Sequence, residues 1–216
     1  SAESVTGRLA AELGIGGKLF VATKVWSTGR EEGIRQMEES MRKLRVERLD
    51  LMQVHNLVDA RTHLATLRDW KKSGRIRYLG VTHYHAGAHV DLERIIAPGD
   101  VDFVQVNYSL AEPEAERRLL AAAAGSRTAV IVNRPFAEGA QFRRVSSRAL
   151  PEWAKEIGGA TWGQYFLKWI LAHPAVTCAI PGTRNPRRVA DNIAAARDPL
   201  PDETMRRRMA SHFASL

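Results

Sequence analysis

Six short apolar runs recur along the chain, separated by stretches of helical periodicity, and this alternation limits the fold more than any other feature. The runs are LFVATKV (19–25), LDLMQVH (49–55), YLGVT (78–82), FVQVN (103–107), AVIVN (129–133) and VTCAIP (176–181). Each is hydrophobic almost without interruption, the pattern of a strand buried on both faces of a parallel sheet. Between the first two runs, Ile34, Met37, Met41 and Leu44 recur at helical spacing, as Val5, Leu9 and Leu13 do before the first. Leu64, Leu67 and Trp70 predict a further helix ending near Gly74, and Glu114 to Ala124 reads as an alanine-rich helix. Trp162, Tyr165, Phe166, Trp169 and Ile170 form an apolar stripe suited to core packing.

Strand–helix alternation of this regularity predicts a parallel α/β domain, either a doubly wound sheet or a (β/α)8 barrel. The polar residues separate the two, because barrel chemistry gathers at the C-terminal ends of many strands. Lys24, His55 with Asn56, Thr82 with His83, Gln105 with Asn107, Asn133 with Arg134, and Thr183 all stand at or just past run ends. The first strand–helix turn lacks the GxGxxG of a dinucleotide-binding sheet. The expected fold is therefore the barrel, as one domain over residues 1–216, although only six strands can be counted.

Composition removes several function classes. A single cysteine, Cys178, excludes an internal disulfide and argues against a cysteine-built metal site; its apolar setting suits a buried, inert thiol. No metal site is expected. No apolar run reaches the ~18 residues that span a bilayer, so no membrane partner is expected. The net charge of +8 raises the question of nucleic acid. The arginines, however, fall in separate clusters with no interleaved aromatics and no nucleic-acid-binding signature, as on solvated helix faces. The chain opens with SAESVTG, without a methionine; a cytoplasmic location is expected, with an export signal upstream of residue 1 as the alternative.

Two stretches carry chemistry. Lys24 is set into a β-favouring apolar run, where an ammonium group is costly unless paired or able to reach water from the strand end. His55 closes the next run, where it is either a satisfied strand-end histidine or a partner for Lys24. In IPGTRNPRRVADN (180–192), Asn185 is a good N-cap and Pro186 suits the first helical position. A helix N-terminus with exposed N–H groups attracts anions, and Arg184 and Arg188 add groups that grip phosphate. A capped surface helix with incidental arginines is the alternative.

In VATKVW, DLMQVHN, KKSGRIRYLGVTHY, FVQVNYS and IPGTRNPRRVADN, in that order and spacing, the sequence resembles the aldo-keto reductase family over essentially its whole length. The resemblance implies a TIM (β/α)8 barrel that reduces aldehydes or ketones by hydride transfer from NADP(H), with an Asp, Tyr, Lys and His tetrad. It assigns the lysine role to Lys24 and the histidine role to His55. It places Thr82, His83 and Gln105 at the nicotinamide carboxamide, and Asn133 where relatives often stack an aromatic ring. Arg134, Pro135 and Phe136 begin the loop over the pyrophosphate. Gly182 is counted among the cofactor-binding residues, Thr183, Arg184 and Arg188 fall on the 2′-phosphate side, Asp191 and Asn192 at the adenine, and Trp26 at the substrate pocket or in packing. His83 departs from a commonly seen asparagine, and Asn133 from the aromatic.

The family's Asp and Tyr precede the helix that here reads ESVTGRLAAELG, so only the last six strands are expected within this chain, with the tyrosine acid upstream of Ser1. Tyr78, Tyr84, Tyr108 and Tyr165 do not match the tyrosine motif. The expected partner is a small carbonyl compound, and the expected state a monomer or weak oligomer. The rival expectation is a catalytically inactive NADP(H)-binding or regulatory member of the same family.

Overall fold

A computed structural model describes residues 1–197 and 199–216. By their packing these form two compact units, Ser1–His83 with Pro98–Val104, and Tyr84–Ala97 with Gln105–Leu216.

In the first unit helices and strands alternate as α1 (Ala2–Glu12), β1 (Ala22–Val25), α2 (Arg30–Leu44), β2 (Leu49–Val54), α3 (Ala60–Lys72) and β3 (Ile76–Thr82). β1 pairs with β2 and β2 with β3, both in parallel, and the register sets Lys24 beside Gln53 and Gln53 beside Gly80. Leu49, Leu51, Met52 and Val54 are all fully buried, the two-sided burial expected of a central parallel strand. Met37, Met41 and Leu44 of α2 and Leu64, Leu67 and Trp70 of α3 are buried too, so both helices sit as their periodicity predicts. Glu31 and Glu32 in the first turn of α2 and Arg42 and Lys43 in its last oppose the helix dipole favourably.

Carboxylates pin the opposite ends of these strands from Lys24. Asp50 accepts the Val21 N–H at 2.7 Å and pairs with Arg77 at 2.6 Å. Asp102 accepts the Leu79 N–H at 2.9 Å and pairs with Lys71 at 2.7 Å. In strand–helix barrels this end serves stability, and the residues here fit that role.

Two local expectations need correction. The first strand begins only at Ala22, since Gly16–Lys18 form a short 3-10 turn and Leu19 and Phe20 lie outside the strand. α1 forms where its spacing predicts, but Val5, Leu9 and Leu13 remain 47%, 42% and 67% exposed. The buried residue is Gly7, which lets α1 approach the α2 backbone closely: a Cβ there would lie 2.2 Å from the Lys43 carbonyl oxygen.

The second unit continues through α4 (His89–Ile96), the end of β4 (Phe103–Asn107), α5 (Leu119–Gly125) and β5 (Ala129–Asn133). α6 (Ala140–Arg144), α7 (Trp162–Leu171), β6 (Val176–Ala179), α8 (Pro186–Ala194) and α9 (Glu203–Ser215) follow. β5 and β6 pair in parallel, with a register shift between Val130 and Ile131. The expected helix from Glu114 is broken: Glu114–Arg117 is a 3-10 turn, and the α-helix starts after Arg118, whose φ of −149° is not helical. Cys178 is half-buried rather than fully enclosed, and burial raises its thiol pKa, which keeps it protonated.

The aromatic stripe of α7 is core, as expected, with Tyr165, Phe166, Trp169 and Ile170 buried. α9 is fastened to it by Arg206, which is 5% exposed and donates to the Trp169 carbonyl at 3.1 Å and to Tyr108 Oη at 2.8 Å. Glu116 accepts from both Tyr108 and Arg206, and Glu203 neutralises Arg206 further at 3.0 Å. A buried charge so fully hydrogen-bonded specifies where α9 sits, and loss of one partner would strand the rest.

Gly7→Ala should lower the unfolding free energy by about 1–3 kcal/mol in a urea titration, because the methyl group meets backbone that cannot rotate away. Unchanged stability would mean that the α1–α2 contact does not hold in solution.

Candidate active site and cofactor cavity

In the first unit the C-terminal strand ends bring Lys24, Trp26, His55, Thr82 and His83 to one edge of the three-stranded ladder. Lys24 is half-buried on β1 and, among the described residues, makes no ion pair. Desolvation therefore acts unopposed and lowers its pKa from the ordinary lysine value. His55 follows β2 directly; burial first, and the nearby Lys24 charge second, lower its pKa, so the imidazole is neutral at neutral pH. The Trp26 ring lies with its centroid 5.4 Å from that of His55, tilted by 58°, while 61% of the residue is exposed. Thr82 is buried at the end of β3, where its Oγ1 accepts the Asn56 N–H at 3.1 Å. His83, next to it, is half-buried.

The turn after His55 is strained. Asn56, Leu57 and Asp59 have φ of 52°, 57° and 45°, in the left-handed region that non-glycine residues rarely enter. Such conformations cost about 1 kcal/mol or more each and persist where the surroundings impose them, commonly at functional sites.

In the second unit a cavity of about 610 Å³ opens beside β6 and the start of α8. Phe136, Phe142, Trp162 and Ile180 give it apolar walls, and Arg134, Thr183, Arg188 and Asn192 polar ones. Pro135, Gly182 and Asp191 also line it. Arg134 is anchored, donating to the Tyr84 carbonyl at 2.9 Å and pairing with Glu138 at 2.9 Å. The loop it opens is strained like the turn after His55, with φ of 50°, 46° and 52° at Arg134, Ala137 and Glu138. Gln105 on β4 is buried and Asn133 closes β5 half-buried.

α8 begins as its sequence predicts. Asn185 Oδ1 accepts the Arg187 N–H at 3.0 Å, Thr183 Oγ1 accepts the Asn185 N–H at 3.2 Å, and Pro186 takes the first helical position. Arg184, Arg187 and Arg188 are exposed there and form no ion pair among the described residues. Three uncompensated guanidinium groups at a helix N-terminus make an anion-binding surface. Asp191 is committed to its neighbours: Oδ2 accepts from Thr161 Oγ1 at 2.9 Å and Oδ1 from Gln164 Nε2 at 2.6 Å.

The model of the aldo/keto reductase family matches residues 1–211. The chain belongs to that family. Among its curated aldo-keto reductase relatives, str7 of Strobilurus tenacellus is 26% identical, the match covering 93% of this chain and 70% of the relative. Methylglyoxal reductase DkgA of Salmonella typhimurium is 27% identical, over 82% of this chain and 63% of the enzyme. The chain thus matches about two thirds of the length of these curated relatives. An aldo-keto reductase from Klebsiella pneumoniae, solved in complex with NADPH, superposes with a TM-score of 0.80 over 98% of this chain and 75% of that one, at 24% identity. The aldo-keto reductase of Bacillus halodurans gives 0.77 over 98% and 76% at 20% identity. The α/β, TIM-barrel-like fold of the aldo-keto reductases is the fold of this chain.

Sequence reading did not single out Phe142, Thr161, Trp162 or Ile180 as cavity residues. Trp162 in particular belongs to the same helical stripe as the buried Tyr165 and Phe166, and nothing in the spacing distinguishes its more open setting. Tyr108 and Tyr165 are placed unfavourably for acid chemistry. Their hydroxyls donate to Glu116 and to the Met209 carbonyl, and burial, foremost, raises both pKa values.

Burial lowers the pKa of both Lys24 and His55, so the folded chain binds fewer protons than the unfolded one. Their contribution to stability therefore grows with rising pH, up to the ordinary histidine value near ~6.5 for His55 and the ordinary lysine value near ~10.4 for Lys24. Lys24→Met should stabilise the chain at neutral pH by about 1 kcal/mol, since an unpaired polar group leaves a half-dry site. It should also raise the His55 pKa, read from the imidazole proton shifts in an NMR titration. An unmoved His55 titration would mean that the two groups are not electrostatically coupled.

Proposed function

We propose that the protein reduces an aldehyde or ketone to an alcohol with NADPH, Lys24 and His55 assisting a tyrosine acid that lies upstream of Ser1. The observation that carries this reading is the pairing of a partly desolvated, unpaired lysine with a neutral histidine at the ends of adjacent parallel strands. A tyrosine of ordinary acidity, pKa near ~10, is a poor proton donor at pH 7. The Lys24 ammonium favours the phenolate and lowers that barrier, and an aspartate beyond residues 1–216 would keep the lysine charged. Neutral His55 can donate an N–H to the substrate oxygen, orienting the carbonyl and stabilising the charge that gathers there. Trp26 offers an apolar face beside it.

The cavity of the second unit fits the phosphate-bearing part of NADP(H). It has the size of a small-ligand site, an aromatic wall and the uncompensated arginines of the α8 N-terminus. Gly182, Thr183, Arg184 and Arg188 would hold the 2′-phosphate, Arg134, Pro135 and Phe136 the pyrophosphate side, and Asp191 and Asn192 the adenine. In the first unit, Thr82 and His83 are proposed contacts of the nicotinamide end. When bound, the reduced nicotinamide supplies the hydride, and the substrate gains one proton at oxygen. The solved Klebsiella pneumoniae relative in complex with NADPH and the methylglyoxal reductase of Salmonella typhimurium support both the cofactor and the substrate class. A small-molecule partner, a cytoplasmic location and a monomeric or weakly associated state complete the proposal. Among the described residues no helix is long and apolar enough to cross a membrane.

The test is NADPH oxidation with methylglyoxal or 4-nitrobenzaldehyde by the intact protein. Lys24→Met and His55→Ala should each lower kcat by about 100-fold or more, the range of a lost acid–base or electrostatic group. Full turnover in both variants would overturn the assignment. NADPH binding without any turnover would favour the alternative, an inactive NADP(H)-binding member of the family.

Arg188→Ala should weaken NADPH about 10- to 100-fold in a fluorescence titration, as expected for one charge-assisted contact, and leave NADH unchanged. Equal weakening of the two nucleotides would remove Arg188 from the 2′-phosphate.

A further inference from the structure

The loop that follows β1 is fastened at three points, each by a side chain from a neighbouring helix or its cap. The Trp26 N–H donates to Gln36 Oε1 of α2 at 2.8 Å, and His63 Nε2 of α3 donates to the Ser27 carbonyl at 2.7 Å. The Gly29 N–H donates to Asp59 Oδ2 at 2.8 Å. A carbonyl can only accept, so Nε2 is the donor in the His63 bond. His63 is completely buried, and its Nδ1 has no hydrogen-bond partner among the described residues.

Two further residues give up ordinary local preferences to this arrangement. Asp59 stands at the N-cap of α3, where an aspartate normally accepts an N–H from its own helix. Here its carboxylate caps no backbone N–H of α3; it accepts from the Gly29 N–H and from the Thr62 side chain, with its backbone at a left-handed φ of 45°. The Gly29 bond, more than any other influence, holds the Asp59 carboxyl below the usual carboxylate range. Gly33 lies inside α2, where glycine is a poor helix former. A Cβ at Gly33 would fall 2.4 Å from His63 Cε1 and 2.7 Å from Nδ1, so the imidazole occupies the space of a side chain. Gly29 itself adopts a φ of 87°, open to glycine and strained for other residues.

The clamp fixes the backbone on which Trp26 stands, while the indole is left 61% exposed beside His55. We propose that His63 and Asp59 are positioning residues that hold loop 26–29 as a rigid wall, so that Trp26 presents a fixed aromatic face to aryl carbonyl substrates. This deepens the carbonyl-reductase reading and rests on it. A wall held from two helices is preorganised, and a flat substrate binds it without paying to order the loop. Small aliphatic carbonyls, which reach His55 without covering the indole, gain little from it.

Amide hydrogen exchange on the intact protein reads the clamp independently of turnover. His63→Phe and Asp59→Ala should each speed exchange of the Trp26 and Gly29 amides at least 10-fold while leaving the Met52 amide of β2 unchanged. His63→Gln, whose amide can donate to the Ser27 carbonyl, should restore slow exchange. Kinetics of the intact enzyme with NADPH then read the consequence. His63→Phe should raise KM for 4-nitrobenzaldehyde about 10-fold with kcat little altered, and leave KM for methylglyoxal unchanged. Combined with Trp26→Ala, it should add nothing further to that KM, because both variants remove the same contact. Unaltered amide exchange in both clamp variants overturns the clamp. Equal changes for both carbonyls, or additive effects of the two substitutions, overturn the positioning role. If His63→Phe does not fold, Asp59→Ala decides by the same readouts. Absence of carbonyl reduction in the unmodified protein, with the exchange pattern as expected, would refute the function and leave the clamp standing.

Discussion

Burial of β2 on both faces is the constraint from which the candidate catalytic edge follows. Leu49, Leu51, Met52 and Val54 leave no solvated face on this strand, so a group meant for chemistry must stand at its end. His55 does so, immediately after Val54, and parallel pairing carries Lys24 of β1 to the same edge through its register with Gln53. The opposite edge is closed by Asp50 and Asp102, which accept backbone amides and pair with basic side chains. One edge is thus hydrogen-bonded and neutralised, while the other retains a lysine without a counter-ion among the described residues. Charge left uncompensated in a partly dry setting is costly, and its persistence favours a functional reading over a structural one.

Strain follows the same division. Among the described residues, left-handed backbone at non-glycine positions falls on Asn56, Leu57 and Asp59 after β2 and on Arg134, Ala137 and Glu138 after β5, besides Arg45 and Arg127, which follow helices α2 and α5. The segments after β2 and β5 each leave the C-terminal end of a parallel strand. Neither can relax freely, since Asn56 is bonded to Thr82, Asp59 to Gly29, and Arg134 to both Tyr84 and Glu138. Such turns hold side chains at fixed angles that regular structure does not provide.

Much of this was legible in the sequence because two-sided burial writes an unbroken apolar run, and helical burial writes a 3.6-residue period. β2, β4 and β5, and the inner faces of α2, α3 and α7, follow those patterns closely. The failures have physical causes. α1 packs through Gly7, and a close backbone approach leaves no hydrophobic signature, so the visible stripe of Val5, Leu9 and Leu13 pointed to the wrong face. The Glu114 segment has helix-forming composition, but the backbone leaves the helical region at Arg118, whose φ is −149°. The cap at Asn185 was readable because capping is local, whereas the diverted cap at Asp59 was not, because its partner lies 30 residues away. Lys24, His55 and the residues from Gly182 to Asn192 stood out as motifs, while Phe142 and Trp162 joined the cavity only through tertiary packing.

Asp191 shows how the scaffold is tied beneath the residues proposed to hold the nucleotide. Its two carboxylate oxygens accept from Thr161 and Gln164, which ties α8 to the first turn of α7. Thr161 also caps α7 by accepting the Gln164 N–H at 3.1 Å, so cap, glutamine and aspartate form a closed set. A carboxylate has more acceptor sites than these two donors fill, so in the proposed function an exocyclic amine could still be received there. The existing bonds therefore need not compete with a nucleotide base. They fix the angle at which α8 leaves the loop of Thr183 and Arg184, and the arginines of that loop can bind a phosphate tightly only if the helix beneath them does not swing.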